Sequence, residues 1–310
     1  MDEPEHIPVL AKQVLATLNP QPGQVCLDCT VGRAGHASLI VPRLAPSGRF
    51  IGLDLDPANV AHARRRLTEA PVKVEIVRAN FTQARQWLDR LEIDAVDLLL
   101  ADLGFASPQM ADPARGLSFN LDGPLDMRLD PDLPRTAADL VNETPQHELA
   151  DLIFQYGQER RSRRIAEKIV EHRRQTPIYS TSQLARIVRR AYGHQRTPTG
   201  SRRTRHRRID PATRTFMALR IAVNRELESL QGLLDDLPQL VRTGGRAAII
   251  SFHSLEDRPV KQTLVALRRA GRAVWVNPRP LVADPLERRY NPRSRSAKLR
   301  VIRLQDAACD

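Results

Sequence analysis

Three carboxylates stand where three apolar, strand-like segments stop: Asp28 after Val25–Leu27, Asp54 after Arg49–Leu53 and Asp102 after Val96–Ala101. In a parallel sheet these ends share one edge, so the acids converge on one crevice. An acid ending the second strand accepts hydrogen bonds from ribose hydroxyls, which points to an adenosine-containing ligand. The first turn reads DCTVGRAGH, from Asp28 to His36, rather than G-x-G-x-x-G. It lets a ligand approach the backbone but lacks a full pyrophosphate cradle. An adenosine ligand without a pyrophosphate suggests S-adenosylmethionine. The alternative is that the acids only cap neighbouring helices. Phe81, just past the third strand pattern, either packs on an adenine or belongs to the core.

The segment after Asp102 carries Gly104, Pro108, Pro113, Gly116, Gly123, Pro124 and Pro131, with Phe105, Phe119 and Met127 between them. That density of glycine and proline predicts a shaped loop. A long shaped loop at a strand's carboxyl end is where open α/β sheets bind ligands. His253, in HSLED after a fifth strand pattern, reads as a helix-start hydrogen bonder. Cys26 and Cys29 form a C-x-x-C with no second pair nearby, so no zinc site follows from them and no metal is expected. Both read as small apolar residues.

Strands and helices alternate through the first hundred residues, which predicts a parallel, doubly wound sheet. From about 110 to 209 the pattern is helical only, at Ala137–Asn142, Pro145–Tyr156, Arg160–Arg174 and Ser182–Tyr192. A helix opening at Asp210-Pro211 and running through Leu230 then restores the rhythm, followed by a turn at Gly244-Gly245 and a strand at Ala247–Phe252. Ala273–Val276 and Lys298–Leu304 are expected to close the sheet. The organisation is therefore a sheet domain in two parts, 1–109 and 210–310, around an inserted helical domain, 110–209.

Charge supports a polyanionic partner. Of 310 residues, 48 are Lys or Arg and 36 Asp or Glu, a formal net charge of +12. Residues 151–208 hold 16 basic and 4 acidic residues, so the whole excess lies there. Such concentration marks a nucleic-acid surface in the insertion, with Arg160–Arg174, Arg189, Arg190 and Arg202–Arg208 as phosphate contacts. A second basic cluster spans Arg288–Arg303. The acidic N-terminus is no signal peptide, and no apolar run approaches a membrane span, so a cytoplasmic protein with no membrane partner is expected.

The chain also resembles a known family along nearly its whole length. The matching blocks are HIPVL at 6–10, the D-x-T-x-G-x-x-G-H turn at 28–36, DLGFASPQ at 102–109 and RGLSFNLDGPLDMRLDP at 115–131. They continue with YGQER at 156–160, PATRTFMALRIAVNREL at 211–227, SFHSLEDR at 251–258 and NPRSRSAKLR at 291–300. In this order they resemble the RsmH/MraW family of bacterial 16S ribosomal RNA cytosine-N4 methyltransferases. The resemblance implies a Rossmann-like class I S-adenosylmethionine-dependent sheet with an inserted all-helical domain. It implies methylation of the exocyclic N4 of a decoding-centre cytidine in the small subunit; the sequence itself leaves monomer and homodimer both open. It places cofactor contacts at Ala34, Gly35, His36, Asp54, Phe81, Asp102 and Gln109.

For substrate, Asp102 or a nearby carbonyl is expected to receive the amino protons, with Phe105 or Pro108 against the base. Asp122, Asp126 and Arg128 either shape the cytosine pocket or close the loop. Arg203, Arg205, Arg207 and Arg208 are expected on phosphates. The chain departs from the family at Cys29 and Ala34, where glycine is usual, at Phe105-Ala106 and at Asp210. A nicotinamide dehydrogenase, an amino-methyltransferase acting on another nucleic acid and a non-catalytic ribosome assembly factor are the rival readings; the absent G-x-G-x-x-G speaks against the first, only the family-specific blocks against the second, and the cofactor turn against the third.

Overall fold

The computed structural model describes residues 7–105, 107–193 and 210–306, with Ser107 and Pro108 described by backbone alone. Arg203, Arg205, Arg207, Arg208 and the side chain of Pro108 therefore lie outside the described residues. The chain divides into two compact units, 1–106 with 227–310, and 107–226.

The first unit is built on seven strands: β1 Val25–Asp28, β2 Arg49–Asp54, β3 Lys73–Arg78, β4 Val96–Asp102, β5 Val241–Ser251, β6 Ala273–Trp275 and β7 Lys298–Leu304. Their spatial order is β3-β2-β1-β4-β5-β7-β6. The first five pair in parallel, and β7 runs antiparallel to β5 and β6. The parallel pairing read from the first hundred residues holds through β5, and of the two closing strands β7 runs in reverse. With that reversed strand, the Rossmann-like class I sheet is borne out.

Alternation sends Leu27, Ile51, Leu53, Leu99 and Ile249 to one face, under helices carrying Leu233, Leu237 and Leu264. It sends Cys26, Phe50, Leu98, Leu100 and Ile250 to the other, under Val14, Ile40, Leu44 and Val60. Strands covered on both faces read as near-continuous apolar runs, as these do.

Two expectations fail here for identifiable reasons. Gly244-Gly245 is no turn before β5. The pairing steps from Val96↔Val241 to Leu98↔Arg246, and the glycines lie in the resulting bulge, with Gly244 at φ 82°. The single helix expected through Leu230 is two, Ala212–Asn224 and Glu226–Leu240, broken where Arg225 turns left-handed at φ 49°. A bidentate Arg220–Glu226 ion pair spans that break.

The second unit contains the helices Ala137–Glu143, Gln146–Gly157, Ser162–Arg173, Thr181–Ala191 and Ala212–Asn224. The last of these was expected with the sheet. Instead Phe216, Leu219 and Val223 share a core with Leu149, Ile153, Ile165 and Leu184. Phe216 also meets Phe119 edge-on at 5.0 Å between ring centroids. The glycine- and proline-rich stretch is a shaped loop from 112 on, after a short helix at Ser107–Ala111. Gly116 sits there at φ 64°, and a Cβ on it would overlap the carbonyl of Pro124. Gly116→Ala is expected to cost about 1–3 kcal/mol from backbone strain alone, with the overlap adding to it. A lowered urea midpoint in chemical unfolding checks this.

Candidate functional site

Register explains why the three acids act together. Asp28 pairs level with Gly52 of β2 and Leu100 of β4, so Asp54 and Asp102 each lie two residues further out. Two residues restore the same pleat direction, so all three lie on one face of the sheet at one edge.

Thr30 ties two of these strand ends together. Its hydroxyl accepts from the Asp102 amide at 2.7 Å and lies 3.4 Å from Asp28 Oδ1, and its amide donates to the same oxygen at 3.0 Å. Asp54 ties the second strand to the first turn. Its Oδ2 accepts from the Gly32 amide at 2.9 Å, its Oδ1 from the Asp56 amide at 2.8 Å, and Asn59 Nδ2 reaches both oxygens. Asp54 therefore shapes the turn as well as facing the crevice. Asp56, beside it, is the side-chain cap of helix Pro57–Arg66.

The turn itself is strained at one point. Ala34 adopts φ 62° and is fully buried, its methyl packed in the apolar layer below. A left-handed alanine is sterically unfavourable, which is why glycine is the usual residue in such a turn. The methyl points into the core. Gly35 and His36 follow, both buried. His36 Nε2 lies 3.6 Å from Asp102 Oδ2 and has no hydrogen-bond partner among the described residues. A buried donor or acceptor left this way costs free energy and is met most economically by a ligand.

The electrostatics point the same way. Burial pushes Asp28 up to about 7, against the pull of His36 and the Thr30 amide, with Asp102 and Asp54 adding repulsion. Burial likewise pushes Asp54 up to about 6, against its amide donors. Carboxylates crowded on one edge of a desolvated crevice favour a cation, and S-adenosylmethionine brings a sulfonium and an ammonium. The residues present fit that cofactor. Phe81 is half-buried on the core beside them, after a capping box in which Asn80 Oδ1 accepts from the Thr82 amide.

Cys26 and Cys29 lie in the apolar layers on opposite faces of the sheet, and burial pushes both thiols up. They are packing residues, as read from the sequence. His253 lies at the start of helix Ser254–Arg269, with Nε2 3.0 Å from Glu256 Oε1. Glu256 Oε2 accepts from the Phe252 amide at 2.7 Å.

The second unit holds the other expected site residues. Gln109 is buried on the helix Ser107–Ala111. Asp126 and Arg128 pair bidentately at 2.8 and 2.9 Å, and Arg128 Nη1 donates to the carbonyls of Pro131 and Leu133. With those donors engaged, the pair braces the loop. Asp122 does similar work: the Ser182 side chain and amide hold its carboxyl below the usual range, and its Oδ1 also takes the Gly123 amide.

The C-terminal basic cluster is largely consumed within the fold. Arg300 and Lys298 bind the Asp257 carboxylate at 2.8–3.2 Å, and Arg295 Nε donates to the Arg288 carbonyl. Arg293 donates to the Phe105 carbonyl. A charge run by itself does not show which acids and carbonyls lie opposite it. In the helical unit, Arg189 is bound to Asp210, Arg161 to the Tyr192 carbonyl and Arg173 to that of Val141. Arg160, Arg163, Arg164, Arg186 and Arg190 are exposed, with no side-chain partner among the described residues.

A family model described as "MraW methylase family" matches residues 3–305. Among curated proteins, the ribosomal RNA small subunit methyltransferase H of Desulfosudis oleivorans is 43% identical over 310 residues, covering 95% of this chain and 97% of that protein. A protein of the same name from a Cyanothece species is 45% identical, covering 98% and 97%. Among solved structures, a putative rRNA methylase from Clostridium thermocellum aligns with 98% of this chain and all of that one, at a TM-score of 0.46 and 11% identity. Among the described residues no helix is long and apolar enough to cross a membrane.

Proposed function

Because the chain belongs to the MraW methylase family, we propose that it transfers a methyl group from S-adenosyl-L-methionine to the exocyclic N4 of a decoding-centre cytidine in 16S ribosomal RNA. The observation that carries this reading is the cluster of Asp28, Asp54 and Asp102 on one face and edge of the sheet, around the left-handed turn at Ala34. The cytoplasmic small ribosomal subunit is the partner it implies.

Asp54, His36 and Phe81 would hold the cofactor, with Asp28 and Asp102 setting a negative field for its cationic groups. When bound, the cofactor supplies an electrophilic methyl. The cytosine amino group is a weak nucleophile, because its lone pair is delocalised into the ring. The protein's contribution is therefore orientation, together with an acceptor for the departing proton. Asp102 is that acceptor in our reading. Its amide is fixed by Thr30 and its carboxylate faces His36. Phe105 follows on the same loop, where it would lie against the base. The base must be unstacked to reach this depth.

Arg160, Arg163, Arg164, Arg186 and Arg190, exposed on the helical unit, are the phosphate ligands we expect. Arg186 and Arg190 lie one turn apart on one helix, and Arg163 and Arg164 on the helix packed against it. Replacing Arg163, Arg164, Arg186 and Arg190 by glutamine should weaken RNA binding. Each phosphate interaction removed should flatten the slope of log affinity against log salt by about 0.7–0.9. A salt titration of binding to ribosomal RNA fragments checks this, and an unchanged slope would remove the surface from the interface.

The function itself is tested with radiolabelled cofactor and small subunits from cells lacking the modification, followed by nucleoside analysis. Label in N4-methylated cytidine is the expected result. Label in another nucleoside would move the substrate assignment, and no label at all would defeat it.

A further inference from the structure

The loop that leaves β4 is held at its start by two backbone anchors. The Asp102 amide donates to Thr30 Oγ1, and the Leu103 amide donates to the Ile250 carbonyl at 3.0 Å. Gly104 then presses its backbone against the Phe252 ring, where a Cβ would come within 2.6 Å of the ring edge. Beyond that point the tether is a side chain from the far end of the sequence: Arg293, whose Nη1 donates to the Phe105 carbonyl across 188 residues.

Arg293 is mounted on a rigid base. It sits in the 3₁₀ turn Pro292–Arg295, where Ser294 is fully buried and its hydroxyl donates to the Asn291 carbonyl at 2.8 Å. Asn291 Nδ2 in turn donates to the Ile7 carbonyl. Upstream, buried Glu287 accepts from the Leu10 amide at 2.7 Å. Downstream, Lys298 and Arg300 are locked on Asp257. Arg293 is also partly desolvated and close enough to Asp102 for the carboxylate to offset part of the cost of burying its charge. A phosphate-binding arginine on a solvated face has none of these features. A planar fork held beside a carboxylate and on a backbone carbonyl suits orientation.

We propose that Arg293 is a positioning residue for methyl transfer, clamping the exit loop of β4 so that Asp102 and Phe105 meet the target amino group in one fixed geometry. The inference rests on the reading of this loop as the methyl-transfer site. In that reaction the amino nitrogen's lone pair forms the new N–C bond as the S–CH3 bond breaks. The bonding pair leaves on sulfur as a neutral thioether, and one amino proton passes to Asp102 and on to solvent. Every partner in that exchange must be aligned, and a misplacement of about 1 Å can cost about 10²-fold in rate.

The test uses the full chain as wild type, Arg293→Lys and Arg293→Ala. It measures kcat and KM on small subunits, cofactor Kd by calorimetry, the thermal midpoint, and amide exchange in the peptide covering 102–105. For Arg293→Ala we expect kcat to fall by about 10²-fold, with cofactor Kd little changed, faster exchange at Phe105 and partial restoration of kcat by added guanidinium ion. Arg293→Lys, which keeps the charge and loses the fork, should recover only part of the rate. Wild-type kcat and exchange in both variants would overturn the proposal. So would a kcat loss matched by a collapsed thermal midpoint in both variants, without guanidinium rescue. If the wild type methylates no RNA, the functional reading fails, and the exchange measurement still decides whether Arg293 holds the loop.

Discussion

Asp102→Asn is expected to lower kcat by about 10²–10⁴-fold with cofactor saturating, the range a positioned proton acceptor contributes. The substitution suits the question because it leaves the backbone anchor of the loop in place. The Asp102 amide, not its carboxylate, makes the anchoring bond to Thr30. The weak side-chain bond from the Gly104 amide, at 3.4 Å, can pass to an amide oxygen. What changes is charge and proton affinity. A role confined to the cofactor gives a different signature: Kd for the cofactor rises, and kcat recovers once the site is filled. Steady-state kinetics on small subunits, run alongside calorimetric Kd values, separate the two. Normal turnover at saturation would remove Asp102 from the chemical step.

The second large effect concerns pH. Asp28 is pushed by burial to about 7 and Asp54 to about 6. A folded-state value raised above the unfolded one means that the folded protein holds its proton over a range where the unfolded chain has lost it. Asp28's contribution to stability is therefore complete below pH 3.8, lost progressively up to about pH 7, and flat above. The loss amounts to roughly 4 kcal/mol.

Asp28→Asn retains an oxygen to accept from the Thr30 amide and cannot ionise. It should raise the stability of the cofactor-free protein at pH 8 by up to a few kcal/mol, while changing it little near pH 4. Cofactor binding should run the opposite way. A cationic ligand favours the ionised acids, so affinity in the wild type should climb from pH 5 to about 7 and then level off. Asp28→Asn should bind more weakly at pH 8 and show a shallower climb. Chemical unfolding and calorimetry at pH 4, 6 and 8 report both trends. A wild-type affinity independent of pH would refute the coupling.

Much of the sheet domain was legible because its signals are local. Apolar runs ending in an acid locate β1, β2 and β4. Asp56 with Pro57 and the capping box at Asn80 mark helix starts there, and in the helical unit Thr136 and Ser180 do the same. Each is written within a few residues, where backbone geometry and side-chain hydrogen bonding are decided together. Long family blocks extended that reading to the cofactor turn and the loop after β4. Less legible was the boundary of the helical unit. The helix Ala212–Asn224 has an apolar face that would suit either a sheet or other helices, and only its packing against Leu149 and Ile153 assigned it.

The site divides along the same line. By itself the sequence determined which residue types stand at the strand ends, where the basic excess is concentrated and which family the chain resembles. It also determined that Cys26 and Cys29 are apolar packing residues. The tertiary structure alone decided what each charged group is spent on. Arg128 and Asp126 brace a loop, Lys298 and Arg300 serve Asp257, and Arg293 reaches the loop of β4. Several arginines of the helical unit, Arg163, Arg164, Arg186 and Arg190 among them, are left unpartnered among the described residues. Alternation and capping act between near neighbours in the chain. A guanidinium finds its partner by proximity in space, and residues 188 positions apart leave no mark on each other's local sequence.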